Sequence, residues 1–260
     1  MTTSLANTAT AEIIARVEGL SGCPVLLLHD PTLQTLATVK AATRQHPTHL
    51  VRYRDNPDAA AYQIAFECGF LLRLFALPPG ERVQLIGTPG ARQAVFQELR
   101  RLRSDLKPGT MQSVVDMLYD GLMLQLRSCG PGIEVDNFLF AHYPQLRELQ
   151  AASMTHQALQ HAGTLNPDLD RQFPRAIVHA SRAMNSAYAL YAAELLGLPH
   201  LAVPYQSAGL ESVGRELLGA LFSSEDTADR PIVDAWAKTL GLSGHYAWVP
   251  VESPAPETVP

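Results

Sequence analysis

The chain has 260 residues, of which 47% are hydrophobic and 17% are charged, and its formal net charge is −5. This length and apolar content are enough for one large domain or two small ones with a buried core. The acidic balance argues against a nucleic-acid groove, which requires a basic surplus on one face, so no nucleic-acid partner is expected.

The spacing of the cysteines and the length of the apolar runs predict the cellular location of the chain. Cys23, Cys68 and Cys129 are far apart and odd in number, and no C-x-x-C occurs, which favours a reducing environment over a disulfide scaffold or zinc ribbon. No apolar run approaches the roughly 20 residues that span a bilayer, and no signal peptide is visible at the start. We therefore expect a cytoplasmic protein without membrane association.

The first hundred residues predict a mixture of short helices and strands. An apolar run between glycine and aspartate at residues 24–28 is typical of a buried strand, and residues 48–53 mix β-branched and aromatic side chains in the same way. The expected elements are a helix at 10–17, a strand at 24–28, a helix at 32–43, strands at 48–53 and 82–87, and a helix from 88 to about 103.

The most informative stretch, residues 58–82, predicts a helix that is apolar on nearly every face. Asp58 is the expected N-cap, because its carboxylate can accept from the free amides of the first turn. Pro78 and Pro79 are expected to end the helix. Glu67 is the acid inside it, and a buried carboxylate requires a partner or a proton.

Residues 104–109 are the expected boundary, and the chain beyond them predicts helices. A Cys-Gly-Pro-Gly segment at 129–132 is expected to break the helical pattern. The expected helices are 110–127, 134–142, 144–162, 174–196, 209–222 and 231–240, followed by a last strand or extended arm at 245–250. The fold class is therefore α+β and predominantly helical: a small mixed α/β lobe followed by an all-helical half.

The expected organisation has four parts. Residues 1–20 form an N-terminal arm or short helix, and residues 21–104 form a small α+β lobe. Residues 105–250 form a helical half packed on that lobe. Residues 251–260, rich in proline and poor in apolar side chains, are expected to be disordered.

The segment Phe66-Glu67-Cys68-Gly69-Phe70 differs from a zinc-peptidase motif at two positions. With histidine in place of both phenylalanines it would read H-E-C-G-H, a form of H-E-x-x-H, in which two imidazoles one helical turn apart bind zinc and the glutamate acts as general base. Residues 25–90 thus resemble the core of zincin-type metallopeptidases, including Arg73 and the Leu-Pro-Pro stop that follows at 77–79. The segment 46–53 resembles the strand that flanks the site in such domains.

The resemblance implies a degenerate site with Glu67 as its one vestigial catalytic residue. Phenylalanine has no lone pair to offer a metal, so no zinc and no cofactor are expected. A second interpretation of Glu67 is a buried acid paired with a local base such as Arg52 or Arg73. For Phe66 and Phe70 the alternative is simple core packing, since aromatic residues four apart on an apolar helix commonly pack in a core.

Other candidate metal sites are weaker. Asp116 and Asp120 share a helix face and would repel one another unless a cation or base lay between them. His156 and His161 are five residues apart, which places them on different faces of a helix. A metal at either pair is not expected.

The function expected from these features is that of a catalytically inactive, metallopeptidase-like protein that acts as an interaction, scaffold or regulatory component. Its helical half offers grooves for a protein partner or a homo-oligomer. Two alternatives stay open: a small-ligand binding or sensing protein with an apolar cavity, and a hydrolase with an unrecognised site around Glu67.

Overall fold

The computed structural model describes residues 7–222 and 228–252. Helices dominate these ranges, and two small sheets accompany them. The helices are α1 (Thr8–Ser21), α2 (Ala61–Ala76), α3 (Pro89–Leu102), α4 (Pro108–His142), α5 (Arg147–His161), α6 (Leu169–Gln172), α7 (Arg175–Leu196), α8 (Val203–Ser207), α9 (Glu211–Phe222) and α10 (Asp229–Thr239). The strands are β1 (Val25–His29), β2 (Ala37–Lys40), β3 (His49–Tyr53), β4 (Val83–Gly87) and β5 (Tyr246–Pro250). The predominantly helical α+β class predicted from the sequence is confirmed.

The larger sheet has the strand order β1-β3-β2. Strand β1 runs parallel to β3 with Leu27 opposite Val51, and β2 runs antiparallel to β3 with Val39 opposite the same residue. Alternate residues of β3 are buried, so one face of this sheet covers a core. The smaller sheet pairs β4 with β5.

The helix predicted at residues 32–43 is wrong, because this segment contains turns and strand β2. Leu33, Leu36 and Val39 happen to follow a helical spacing, but the segment contains four threonines, whose branched side chains favour strands. The backbone hydrogen bonds of β2 go to β3, which provides long-range partners that a local pattern cannot reveal.

The break predicted at residues 129–132 is also wrong, because α4 continues through Pro131 to His142. A proline inside a helix costs about 3 kcal/mol, so packing must offset it. Gly130 makes part of this packing possible. A Cβ atom at this position would lie 2.7 Å from Ile232 Cγ2 and 3.3 Å from the indole of Trp236, so the glycine allows α10 to pack closely against α4.

The chain divides into two compact units. Unit 1 contains Met1–Val83, Glu134–Ala152 and Pro250–Pro260, and unit 2 contains Gln84–Ile133 and Ser153–Val249. Each unit has its own cluster of buried apolar side chains. The expected boundary at residues 104–109 falls within the first segment of unit 2, and the predicted separation into lobes stays a prediction for folding experiments.

Strand β5 carries two aromatic side chains that pack on the core of unit 2. Asp234 Oδ1 accepts hydrogen bonds from the Tyr246 hydroxyl at 2.6 Å and from the Trp248 indole N–H at 2.8 Å. Residues 246–249 of the last strand are therefore an integral part of unit 2. The expected disorder of the tail concerns residues 251–260, of which 253–260 lie outside the described residues. Among the helices that the structure describes, none is long and apolar enough to cross a membrane.

Candidate functional site

Helix α2 begins without the side-chain cap predicted from the sequence. Its N-cap is Ala60, so the assignment of that role to Asp58 is wrong. The turn before the helix is held by Asn56 instead, whose Oδ1 accepts from the Ala59 N–H at 2.9 Å. An asparagine side chain forms such a turn as readily as it caps a helix, and the sequence does not distinguish the two positions.

The C-terminal end of α2 is capped by an arginine from the following loop. The helix ends at Ala76, before Pro78 and Pro79, as predicted. Arg82 donates to the carbonyl oxygens of Leu77 at 2.9 Å and Phe75 at 3.2 Å, and its guanidinium lies 4.7 Å from the centre of the Phe75 ring. A cation at this end satisfies free carbonyls and complements the helix dipole.

An aromatic ladder, Tyr62–Phe66–Phe70, runs along one side of α2. Phe66 and Phe70 meet edge to face with ring centres 5.2 Å apart, and Tyr62 lies 5.9 Å from Phe66. Both phenylalanines are partly buried and pack against the core of unit 1. Packing is therefore a sufficient role for them, although it does not cover them completely.

Glu67, the predicted vestigial catalytic residue, is partly exposed rather than buried. The expectation of a buried acid here is wrong, because this part of α2 does not pack on every face. Glu67 takes part in an interaction, and so does Arg73; a pairing of Glu67 with Arg52 or Arg73 stays a prediction, as does the vestigial role. The neighbouring Cys68 is fully buried, and burial raises the pKa of its thiol to about 12, with the charge of Glu67 contributing in the same direction.

Gly69 allows α2 to approach the last turns of α4 within unit 1. A Cβ atom at Gly69 would lie 2.3 Å from Cγ1 of Val135, well inside van der Waals contact. The glycine of segment 66–70 therefore has a packing role in this chain.

We expect Gly69→Ala to lower the free energy of unfolding by about 1–3 kcal/mol, because the added methyl group must displace Val135. Adding Val135→Ala should recover part of that loss, which urea unfolding of the single and double variants would measure. The matched control is Gly219→Ala in α9, where a Cβ meets no atom within 4 Å and the change should stabilise by up to about 1 kcal/mol. Equal effects at the two glycines would contradict the close approach.

Among the described residues of unit 1, the buried acid is Asp136, on α4, which the sequence analysis did not single out. Its Oδ1 accepts from the Tyr62 hydroxyl at 2.5 Å and from Gln150 Nε2 at 3.0 Å, and the same Nε2 donates to the Asp136 carbonyl oxygen at 2.9 Å. Asp136 and Gln150 are both fully inaccessible to solvent. The three side chains form a buried polar cluster, which we call the Asp136 cluster.

The Asp136 cluster favours a neutral carboxyl group. Burial raises the pKa of Asp136 to about 7, and the hydrogen bonds from Tyr62 and Gln150 oppose this only in part. Among the described residues, no arginine, lysine or histidine contributes to this shift. Asp136 Oδ2 and Gln150 Oε1 have no hydrogen-bond partner among the described residues. Both of these atoms are acceptors when Asp136 is ionised. A proton on Asp136 Oδ2 would turn that atom into a hydrogen-bond donor.

His49, on strand β3, is fully buried and held as a neutral ring. Its Nδ1 accepts from the Ala42 N–H at 2.9 Å, so the ring proton is on Nε2, which lies 2.9 Å from the Ser21 hydroxyl. Burial lowers the pKa of His49 to about 4, and the more distant Glu18 opposes this shift. The His49 ring also packs edge to face against Phe75, with the ring centres 4.9 Å apart. These contacts give His49 a structural role.

Asp116 and Asp120 share a face of α4, as predicted, and a base lies between them. Arg92 donates to Asp116 Oδ1 at 2.6 Å and to Asp120 Oδ1 at 2.5 Å. Its guanidinium also lies 4.7 Å from the centre of the Tyr119 ring. The arginine thus compensates the repulsion that made this pair a candidate for a cation.

The remaining histidine pair does not converge. His156 is exposed on α5, whereas His161 lies at the end of that helix with its ring 5.9 Å from that of Tyr188. Burial lowers the pKa of His161. In the part of the chain that the structure describes, no three His, Cys, Asp or Glu residues are grouped so that they could hold a metal ion.

Comparisons with protein-family models, with curated proteins and with solved structures found no match to this chain.

Proposed function

We propose that this chain is a non-catalytic, peptidase-like protein that acts through protein–protein contacts, with α2 as the folding core of unit 1. The observation that supports this most directly is the edge-to-face contact of Phe66 and Phe70. These two side chains stand at both positions where the resembled motif has metal-binding imidazoles. Hydrocarbon ring edges occupy that side of the helix, and they provide neither a lone pair nor a polar cavity.

The chemistry of Glu67 follows from these neighbours. In a zincin the corresponding carboxylate acts on a water molecule whose pKa a zinc ion has lowered. Phe66 and Phe70 cannot retain such an ion, so Glu67 has no activated water to deprotonate.

Exposed apolar side chains support the interaction role. Leu26 and Leu28 project from β1, an edge strand of the larger sheet, with 53% and 46% of their surfaces exposed. In unit 2, Met117 and Leu124 are exposed on α4. Large apolar side chains grouped on one strand or one helix face are typical of surfaces that bind proteins.

We expect the purified chain to contain less than about 0.1 zinc per molecule, because structural and catalytic zinc sites require three or four protein ligands. Elemental analysis after mild chelation would measure this. Restoring both histidines with Phe66→His and Phe70→His should raise zinc affinity if a third ligand lies nearby, with Phe66→His alone as the matched control.

Two results would overturn the proposal. One is about one zinc per chain that survives chelation. The other is hydrolysis of a peptide panel by the wild-type chain that Glu67→Gln abolishes, since this would make Glu67 a working general base. Tight binding of a small metabolite, detected as a ligand-dependent rise in melting temperature, would instead favour the sensing alternative.

A further inference from the structure

One face of α4 in unit 2 carries exposed apolar side chains, Met117 and Leu124, which do not pack in the core of the unit. We call this face the stripe. The opposite side of the helix is buried through residues such as Val115, Leu122 and Leu126. On the exposed side, Met117 and Leu124 have 63% and 47% of their surfaces exposed and are seven residues apart, which places them on the same face. A surface helix that serves one core is normally polar on this side.

The middle of this stripe permits close approach by another helix. Gly121 lies between Met117 and Leu124, and a Cβ atom there would meet no atom within 4 Å. Beside Leu124 there is a groove of about 240 Å³ between α4 and β4. Its lining residues are Leu85, Gly87, Asp120, Met123, Leu124 and Arg127. A small residue next to a groove lined by both apolar and charged side chains provides room for the knob-like side chains of a packed helix.

The stripe carries an excess negative charge near Asp120 and an excess positive charge at Arg127. Arg92 serves both Asp116 and Asp120, so two carboxylates share one guanidinium and a negative charge is left over. Arg127 is exposed and has no hydrogen-bond or ion-pair partner among the described residues. Asp120 and Arg127 are seven residues apart, which is two helical turns on one face and about 10.5 Å along the axis.

We propose that this stripe binds a second copy of the chain, with the two α4 helices antiparallel about a two-fold axis that passes between residues 123 and 124. The axis lies midway between Asp120 and Arg127, so each Asp120 is level with Arg127 of the partner subunit, and two ion pairs form. Leu124 lies next to the axis and packs against the partner subunit's Leu124 beside the groove. A two-fold axis requires a self-complementary patch, and an acid and a base placed symmetrically about an apolar residue form one.

This inference specifies the partner within the proposed interaction role and rests on it. A second copy has the same sequence and therefore carries the matching Arg127 and Asp120. An unrelated helix would need its own acid and base at the same separation. The net charge of −5 per chain opposes association at long range, so the contact depends on this local pairing and on apolar burial.

Two charge variants test the arrangement directly. In Arg127→Glu, Asp120 faces a glutamate of the partner subunit, and in Asp120→Lys, the new lysine faces the partner's Arg127. Either variant alone should dimerise at least about tenfold more weakly than the wild type, because two attractive pairs become two repulsive ones. An equimolar mixture should form heterodimers of near wild-type affinity, since both cross pairs are then attractive. Sedimentation velocity over a concentration series would measure all three.

A substitution in the apolar stripe provides an independent test. Leu124→Glu should weaken dimerisation more than either charge variant, because it places a carboxylate next to the axis of the interface. Leu159→Glu is the matched control, since Leu159 is also exposed, at 57%, and belongs to a different helix, α5. Circular dichroism would verify that every variant is folded.

The outcomes separate this inference from the proposed function. A wild-type chain that is monomeric up to about 100 µM overturns the dimer. A dimer that tolerates Leu124→Glu, or a mixture of the two charge variants that stays monomeric, overturns the antiparallel α4 contact. None of these results bears on zinc content or on Glu67-dependent hydrolysis, which decide the proposed function.

Discussion

Replacing Asp136 with asparagine is expected to raise the free energy of unfolding at pH 8 by about 2–4 kcal/mol. The folded-state pKa of about 7 is raised from the ordinary value of 3.8 by burial. Between these values the unfolded chain loses its proton while the folded chain keeps it, so stability falls as pH rises, by up to about 4 kcal/mol. Asparagine carries no such penalty, and its amide can donate where the Oδ2 proton would.

Urea unfolding of the wild type and Asp136→Asn between pH 4 and pH 8 measures this effect. The advantage of the variant should be small near pH 4, grow with pH and level off above about pH 7. Asp58→Asn is the matched control, because Asp58 is exposed in the same unit. A loss of stability in Asp136→Asn at pH 8 would mean that the cluster requires an ionised carboxylate.

His49 is expected to make the fold sensitive to acid. Its pKa is lowered by burial from 6.5 to about 4, so the folded ring stays neutral while the unfolded ring takes up a proton. The stability due to the neutral ring is complete above about pH 6.5 and is lost as pH falls to about 4, by roughly 3 kcal/mol. Asp136 acts in the opposite direction over this range, so the Asp136→Asn background should reveal the full acid loss.

The variant His49→Asn isolates the contribution of the ring. Asparagine retains an acceptor for the Ala42 N–H but leaves space beside Phe75, so it should be less stable than histidine at pH 7 by about 1–3 kcal/mol. This difference should shrink toward pH 4, because asparagine does not titrate. His46→Asn, at an exposed position three residues earlier, is the matched control and should change the free energy of unfolding at pH 7 by less than about 0.5 kcal/mol. A constant difference between His49→Asn and the wild type would contradict the neutral buried ring.

Local sequence patterns predicted most of the helices and strands because their signals are short-range. Pro89 at the first turn of α3, the proline stop after α2 and the apolar run of β1 each depend on neighbouring residues only. The predictions failed where distant residues decided the conformation. Strand β2 requires β3 as its hydrogen-bond partner, and the proline inside α4 is compensated by the packing of α10 on Gly130.

In the candidate site, too, the sequence predicted what neighbouring residues decide and missed what distant residues decide. The sequence indicated that Phe66 and Phe70 lie on one side of a helix around Glu67, and their ring contact on α2 agrees with it. It assigned the buried acid to Glu67, because an acid within an apolar helix pattern is the only local signal of burial. Asp136 lies 69 residues further on, and only its approach to Tyr62 identifies it.

The sequence by itself determined the helical α+β class, the positions of most elements and the presence of phenylalanine at residues 66 and 70, since composition, periodicity and residue identity require no contacts. The tertiary structure alone decided which carboxyl group is buried, which tautomer His49 adopts and which base separates Asp116 from Asp120. Desolvation and hydrogen bonding depend on the groups that surround a side chain in space. In this chain most of those groups lie on other elements, and even the nearest of them in sequence, the Ala42 N–H, is seven residues from His49, so no local pattern could encode them.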